Sequence, residues 1–450
     1  MGRTSVRSKT VFGCTECGAQ APKWLGRCPE CGAWSSLIEE RPPAAAGVPA
    51  GDAVVMALAD VDPIAAVGRS TGVPELDRVL GGGLVPGSVT LLGGEPGIGK
   101  STLLLQSLGR MAAAGARCLL VSAEESKEQV RLRADRLGTL DPNLLIVTET
   151  SLPAIIARIV ETKPDVVAVD SIQTVMDPER SGAPGSVGQV RECSHRLVRV
   201  AKDRGIATVL VGHVTKEGLL AGPRAMEHIV DTVLAFEGDR HHSLRMLHAL
   251  KHRFGTTNEL GVFEMTEAGM SEVADPSALF LADRRPGLPG SVVTATLEGV
   301  RPLLVEVQAL LASTGAPAPR RSARGLDAGR LEMLLAVLQA RAGRHVDRFD
   351  VYASVAGGVK VHDAGADLAV ALAVVSALIG EPVPGGLVAV GEVGLGGELR
   401  QASQTVRRLG EAARLGFRVA AVPASTPDVD GIRLLRADRV GDVLEALDLA

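Results

Sequence analysis

The segment Gly94-Glu95-Pro96-Gly97-Ile98-Gly99-Lys100-Ser101-Thr102 carries the most specific chemistry in the chain. Two glycines separated by four residues and followed by Lys and a hydroxyl residue form the pattern of a phosphate-binding loop. The context fits, because the apolar run 89–92 precedes it and a helix-like stretch over 102–110 follows. The glycines let backbone N–H groups curl around phosphate oxygens, and the N-terminus of the next helix adds partial positive charge. Lys100 is placed to reach the β and γ oxygens and Ser101 to ligate Mg2+, so ATP and Mg2+ are the predicted cofactors.

Such a loop needs a metal-side carboxylate and a group that acts on water. Pro164-Asp-Val-Val-Ala-Val-Asp170-Ser171 reads as a strand with an acid at its C-terminal tip, which makes Asp170 the candidate beside Mg2+. Val121-Ser-Ala-Glu124-Glu125-Ser126 ends another strand with two carboxylates at the edge where nucleotides bind. Either one of the pair polarises water, or both complement the positive end of the helix that follows.

A second constellation lies near the N-terminus. Cys14-Thr-Glu-Cys17 and Cys28-Pro-Glu-Cys31 are two short knuckles whose four thiolates suit one tetrahedral Zn2+. Gly18 and Gly32 follow the second cysteine of each pair, where a tight turn favours a residue that tolerates positive φ. The site is closed and therefore structural, and metal binding provides the folding free energy that so short a module lacks. Cys118 and Cys193 stand apart, in a predicted strand and helix, and read as core residues.

The elements that must position these groups alternate along the chain. Short β-branched runs over 88–92, 117–122, 166–170, 208–211 and 232–236 alternate with helix-like stretches, the pattern of a parallel sheet covered by helices. The expected organisation is a four-cysteine module at 1–40, a Pro/Ala/Gly-rich linker at 41–59, an α/β nucleotide-binding domain at 60–272 and an α+β domain at 273–450. In the last, 291–297 and 303–308 read as strands and 326–342 and 367–380 as helices. Gly81-Gly-Gly83 reads as a turn outside the site.

At 450 residues, 46% apolar and 22% charged, with a net charge of −4, the chain is neither a small module nor a disordered one. Nucleic-acid contact must then come from local patches, and ten aromatic residues are too few for a base-stacking surface. The longest apolar run, over 368–380, is too short to cross a membrane, and no apolar leader follows Arg3, Arg7 and Lys9. No membrane partner and a cytoplasmic location are the expectations.

These motifs, with Thr71-Gly-Val-Pro-Glu-Leu-Asp77 ahead of the phosphate loop, closely resemble the RadA/Sms DNA-repair proteins, a bacterial branch of the RecA-like ATPases. The resemblance covers essentially the whole chain. It implies that Glu124 activates water and that Gly212-His213-Val-Thr-Lys-Glu-Gly218 holds a γ-phosphate sensor, His213, at the start of a DNA-facing loop. The family's Lys-Asn-Arg-Phe-Gly signature appears as Lys251-His252-Arg253-Phe254-Gly255, with His for Asn and both cations intact. The resemblance assigns Lys251 and Arg253 to ATP of a neighbouring subunit or to DNA.

The C-terminal block resembles the Lon protease domain, through Gly357-Gly-Val-Lys-Val-His-Asp-Ala-Gly-Ala-Asp367 and Gly391-Glu-Val-Gly-Leu-Gly-Gly397. Lon proteases use a Ser–Lys dyad, but the matching positions fall near Gly365 and Val406, and Ser354 and Lys360 lie outside the motif. The block is expected to be a non-proteolytic oligomerisation scaffold, with Arg400, Arg407, Arg408 and Arg414 on either a DNA surface or a solvated helix face. Together the resemblances imply a hexameric, ATP-driven motor on single-stranded and branched DNA, with a recombinase or replicative helicase meeting the zinc module. A regulatory ATPase acting on proteins and an ATP-dependent protease are the competing classes.

Overall fold

Aliphatic runs bounded by Gly, Asp and Pro become strands in this chain, and apolar stripes at helical spacing become the helices that cover them. The computed structural model describes residues 11–14, 20–30, 32, 34–40, 57, 59, 67–180, 182–213, 225–238, 244–315 and 318–449. They fall into two units, one up to Val273 and one from Ala274 onward.

The first unit opens with β1 (Val11–Cys14), β2 (Gln20–Ala21) and β3 (Leu37–Glu40), a small antiparallel sheet of order β2-β1-β3. Cys14 and Cys28 are buried there against Ala21 and Leu37. Of the linker expected at 41–59, only residues 57 and 59 are described. The remainder of the unit comprises α1 (Pro74–Val79), β4 (Val89–Gly94), α2 (Lys100–Ala113), β5 (Cys118–Ser122), α3 (Lys127–Arg136), β6 (Leu144–Thr148), α4 (Leu152–Thr162) and β7 (Val166–Asp170). It continues with α5 (Val187–Arg204), β8 (Ala207–His213), α6 (Ala225–Ile229), β9 (Thr232–Glu237), β10 (Leu244–His252), β11 (Leu260–Thr266) and β12 (Gly269–Glu272).

These strands form a nine-stranded sheet of order β12-β11-β10-β9-β4-β8-β7-β5-β6. β9, β4, β8, β7, β5 and β6 run parallel, and β10 to β12 add an antiparallel meander. The pleat sends alternate side chains to opposite faces. Val89 and Leu91 pack with Leu152, Ile155 and Leu197 of α4 and α5, whereas Leu92 packs with Leu103, Leu104 and Leu108 of α2. Both faces are therefore dry, which is why the parallel strands read as continuous apolar runs. Cys118 and Cys193 lie in these cores, and burial pushes their thiols up to about 12 and about 11.

The second unit contains α7 (Pro276–Phe280), β13 (Ser291–Glu298), β14 (Arg301–Ser313), β15 (Arg321–Arg324), α8 (Ala328–Ala342), β16 (Phe349–Val355), α9 (Asp367–Ile379), β17 (Leu387–Ala389) and β18 (Glu392–Val393). It closes with β19 (Leu399–Arg400), α10 (Thr405–Arg414), β20 (Val419–Pro423), β21 (Arg433–Ala437) and α11 (Val440–Ala446). Its main sheet mixes parallel and antiparallel pairs in the order β15-β16-β14-β13-β17-β20-β21. The long apolar run is α9, whose residues from Asp367 to Ser376 are all buried, as expected of a helix that is hydrophobic all round. No helix among the described residues is long and apolar enough to cross a membrane.

Two expectations for this unit change. β14 extends to Ser313, well beyond the aliphatic run that announced it, because β16 supplies a ladder partner for residues 307 to 313. Of the basic side chains of 400–414, Arg408 is not at the surface, whereas Arg400, Arg407 and Arg414 are exposed. Arg408 is fully buried, donating to the Ala295 carbonyl at 2.7 Å and pairing with Asp363. Arg414 is held by Asp275 and Glu411, and Arg400 by Glu398. Burying a guanidinium costs several kcal/mol unless partners surround it, so Arg408 is a pinned structural group.

Candidate active site

The phosphate loop follows β4 and leads into α2, and its backbone is held in shapes that glycine permits. Gly97 and Gly99 adopt φ of 79° and 113°, in the left-handed region that a Cβ disfavours. At Gly99 a Cβ would also collide with the methyl groups of Met265 and Met270, which pack against the loop. At Gly94 it would sit 2.6 Å from the Phe236 carbonyl on the neighbouring strand. Ile98 is buried and anchors the loop to the core.

Lys100 is buried, and its Nζ donates to the carbonyls of Gly94 at 2.8 Å and Glu95 at 2.9 Å. The ammonium thus spans the mouth of its own loop. Burial pushes its pKa below the ordinary lysine value, while Asp170 and Glu124 pull the other way. A buried ammonium gains strongly from a polyanion brought against it.

Asp170 ends β7, one strand beyond β8, and the peptide linking it to Ser171 is cis. Its carboxyl is pushed above the usual range, chiefly by burial, with Glu124 and Glu125 adding to the rise and a hydrogen bond from Ser101 opposing it. Ser101 and Asp170 therefore meet, as two ligands of one Mg2+ must, and a divalent cation there would relieve the crowding of carboxylates. Metal and nucleotide would add charge stabilisation and the phosphoryl group; the chain supplies the loop, the ammonium and the carboxylates.

The two glutamates after β5 part company. Glu125 is engaged by Arg133 at 2.5 Å, on the helix whose N-terminus Ser126 caps. Glu124 instead accepts a hydrogen bond from Ser171, beside Asp170, and acts electrostatically on both Lys100 and Asp170.

His213 is the last residue of β8, and its backbone stands opposite Gly94 of β4, level with the start of the phosphate loop. Val214 to Gly218, the start of the expected DNA-facing loop, lie outside the described residues.

Lys251 and Arg253 are at the other edge of the sheet. β10 runs antiparallel to β9, so His252 pairs with Thr232 and Lys251 with Val233, whereas Gly94 pairs with Phe236. Four residues of strand, about 13 Å, separate the two levels. The Lys251 ammonium donates to the carbonyls of Glu227 and Val230 at 2.6 and 2.7 Å, and burial lowers its pKa. Arg253, half exposed, pairs with buried Asp231 at 3.0 Å. The structure does not bring these cations to the phosphate loop of their own chain. His252 lies 2.9 Å from the Thr232 hydroxyl, and its ring edge lines the turns at Gly81 and Gly255. Burial lowers the pKa of its imidazole.

Cys14 ends β1 and Cys28 opens the second knuckle, both buried; the Cys14 Sγ lies 3.2 Å from the Ser36 hydroxyl. Gly32, with φ of 74°, donates its N–H to the Cys28 carbonyl at 3.0 Å, closing the tight turn that a metal knuckle requires. Cys17 and Cys31 lie outside the described residues, and no group of three metal-ligating side chains occurs among those that are described. The buried pair and the glycine turn fit a four-cysteine metal site.

In the second unit Gly365 is buried, and a Cβ there would come within about 3 Å of Ala402, Arg408 and Asp363. Val406 is exposed on α10. Neither position offers a nucleophile or an amine.

One residue that sequence reasoning passed over belongs to the site. Arg245, near the start of β10, is buried and its Nε donates to the Ile98 carbonyl of the phosphate loop at 3.2 Å. The available signal was a charge at a strand position whose alternation with Leu247 and Ala249 calls for an apolar side chain.

Comparison with known proteins follows the same division. Residues 60–219 match the family model of an AAA domain, and residues 12–39 that of a rubredoxin metal binding domain. The chain is 49% identical over 451 residues to the DNA repair protein RadA of Pseudomonas aeruginosa, covering 98% of this chain and 99% of that one. It is 46% identical over 452 residues to the protein of the same name from Bacillus subtilis, covering 98% of each. The corresponding protein of Halalkalibacterium halodurans is 47% identical over 425 residues, covering 93% of each.

Proposed function

The chain belongs to the RadA family of DNA repair proteins, with an N-terminal metal-ribbon module and a RecA-like ATPase core, and from that premise we propose a Mg2+- and ATP-dependent motor. It binds single-stranded and branched DNA and drives branch migration during recombinational repair. The observation that carries this reading is the convergence of Lys100, Ser101, Asp170 and Glu124 at one strand edge, in a chain matched to RadA proteins over 98% of its length.

In this reading Gly94 to Thr102 cradle the triphosphate, Lys100 holds the β and γ oxygens, and Ser101 and Asp170 bind Mg2+. Glu124 orients and deprotonates the attacking water, and His213 senses the γ-phosphate from the end of β8. Lys251 and Arg253 act on the nucleotide of the next subunit. Their place on the far edge of the sheet suits a group supplied in trans, and it makes turnover depend on a hexameric ring. Zn2+ on Cys14, Cys17, Cys28 and Cys31 folds the module that meets a recombinase or replicative helicase. The second unit serves as a non-proteolytic assembly scaffold, since Gly365 and Val406 stand where a Ser–Lys dyad would be.

The test is extension of a three-strand joint molecule by purified protein with ATP. Extension by wild type and none by Lys100→Ala supports the motor. ATP turnover without any extension on branched substrates would overturn it.

A further inference from the structure

Arg245 lies on the inward face of β10 with Leu247 and Ala249, at a position that the pleat assigns to the core. Only 6% of its surface is exposed. An arginine is costly there unless every part of it is used. The fold makes room for it, because any Cβ at Gly238 would press within 2.7 Å of the Arg245 Cδ. Among its partners are two backbone carbonyls: Nη1 donates to Leu244 at 2.8 Å and Nε to Ile98 at 3.2 Å.

The second bond matters for the phosphate loop. In a trans peptide the carbonyl and the following N–H point in opposite directions. Fixing the Ile98 oxygen on Arg245 therefore also fixes the direction of the Gly99 N–H, on the side away from the guanidinium. A cationic donor on the carbonyl also polarises that peptide and strengthens its N–H as a donor. Met265 and Met270 pack against Gly99 and prevent the peptide from moving away, but they do not set which way it faces.

We infer that Arg245 is a positioning residue for nucleotide binding, holding the Ile98–Gly99 peptide in the orientation that recognises the β-phosphate. This rests on the reading of Gly94 to Thr102 as the nucleotide site. β10 then carries the loop-orienting arginine at one end and Lys251 at the other, with Arg253 just beyond it.

The experiment measures Mg·ADP affinity, the KM and kcat for ATP, and amide hydrogen exchange across residues 94–101 in full-length protein. Wild type, Arg245→Met, Arg245→Lys and Lys100→Ala are compared. Losing one correctly aimed donor should weaken Mg·ADP and raise KM about tenfold, with kcat within about threefold of wild type. Arg245→Lys, which keeps one cationic donor for the Ile98 carbonyl, should recover most of the affinity. In Arg245→Met the protection that Mg·ADP confers on the loop amides should be lost.

A lowered melting temperature with unchanged KM and intact nucleotide-dependent protection would show mere core support and overturn the inference. If Arg245→Met does not fold, Arg245→Gln takes its place: a raised KM with weakened protection of the loop amides supports the inference, and an unchanged KM with intact protection overturns it. Failure of wild type to bind Mg·ADP would instead overturn the underlying assignment of the loop.

Discussion

Replacing Glu124 by Gln removes one carboxylate while keeping its size and its ability to accept from Ser171. If Glu124 activates water, the chemical step loses a factor of about 10² to 10⁴, equal to about 3 to 5 kcal/mol of barrier. Nucleotide binding should survive, because Lys100 keeps its loop carbonyls and a negative charge near the triphosphate is removed. The control is built into the sequence. Glu125→Gln breaks a partly exposed ion pair with Arg133, which is typically worth about 1 kcal/mol or less, and should change turnover less than tenfold. Single-turnover hydrolysis with saturating enzyme separates the chemical step from binding and release, and equilibrium titration with a fluorescent nucleotide reports affinity. Near-normal chemistry in Glu124→Gln together with collapse in Glu125→Gln would refute the division of roles drawn from their partners.

Lys100→Ala should abolish measurable hydrolysis, because the polyanion loses its principal side-chain cation; unchanged turnover in a radiolabelled phosphate-release assay would disprove the loop assignment. Arg253→Ala should be inactive alone yet regain turnover when mixed with Lys100→Ala, since each supplies what the other lacks at a shared interface. Mixtures no more active than either parent would exclude action in trans. Cys28→Ser should lose stoichiometric zinc by elemental analysis, and chelation should unfold residues 12–39 first, given the roughly 10–16 kcal/mol that such sites contribute. Arg330→Met should destabilise the second unit by about 3–5 kcal/mol, because it strips a bidentate partner, at 2.5 and 2.6 Å, from buried Asp367. Denaturant titration showing under 1 kcal/mol would mean that Asp367 is neutral in the folded protein.

The phosphate loop, the strand carrying Asp170 and the doubly covered sheet were legible because each depends on local pattern: glycine spacing, apolar runs, and an acid at a strand tip. The separation of Glu124 from Glu125 was not, since it depends on Arg133 and Ser171, eight and forty-seven residues away. The role of Arg245 was not legible for a related reason, although the strand alternation with Leu247 and Ala249 marks its position as inward. A charge in a strand reads as a solvent-facing residue until the sheet shows that its partner is the loop 147 residues earlier. Arg408 differs in the opposite sense: it points inward to Ala295 and Asp363, on the helical face that Thr405, Leu409 and Ala412 bury, although its charge suggested solvent or DNA. The far-edge position of Lys251 and Arg253 follows from the antiparallel turn into β10, a reversal that composition alone does not encode.

In the proposed function, ATP turnover serves movement on DNA. Steady-state hydrolysis by purified full-length protein, measured with and without single-stranded DNA and with Lys100→Ala as the blank, tests it directly. Turnover should depend on Lys100 and rise severalfold with DNA. Hydrolysis that depends on Lys100 but is indifferent to DNA would contradict this reading and leave an ATPase that acts on a protein partner.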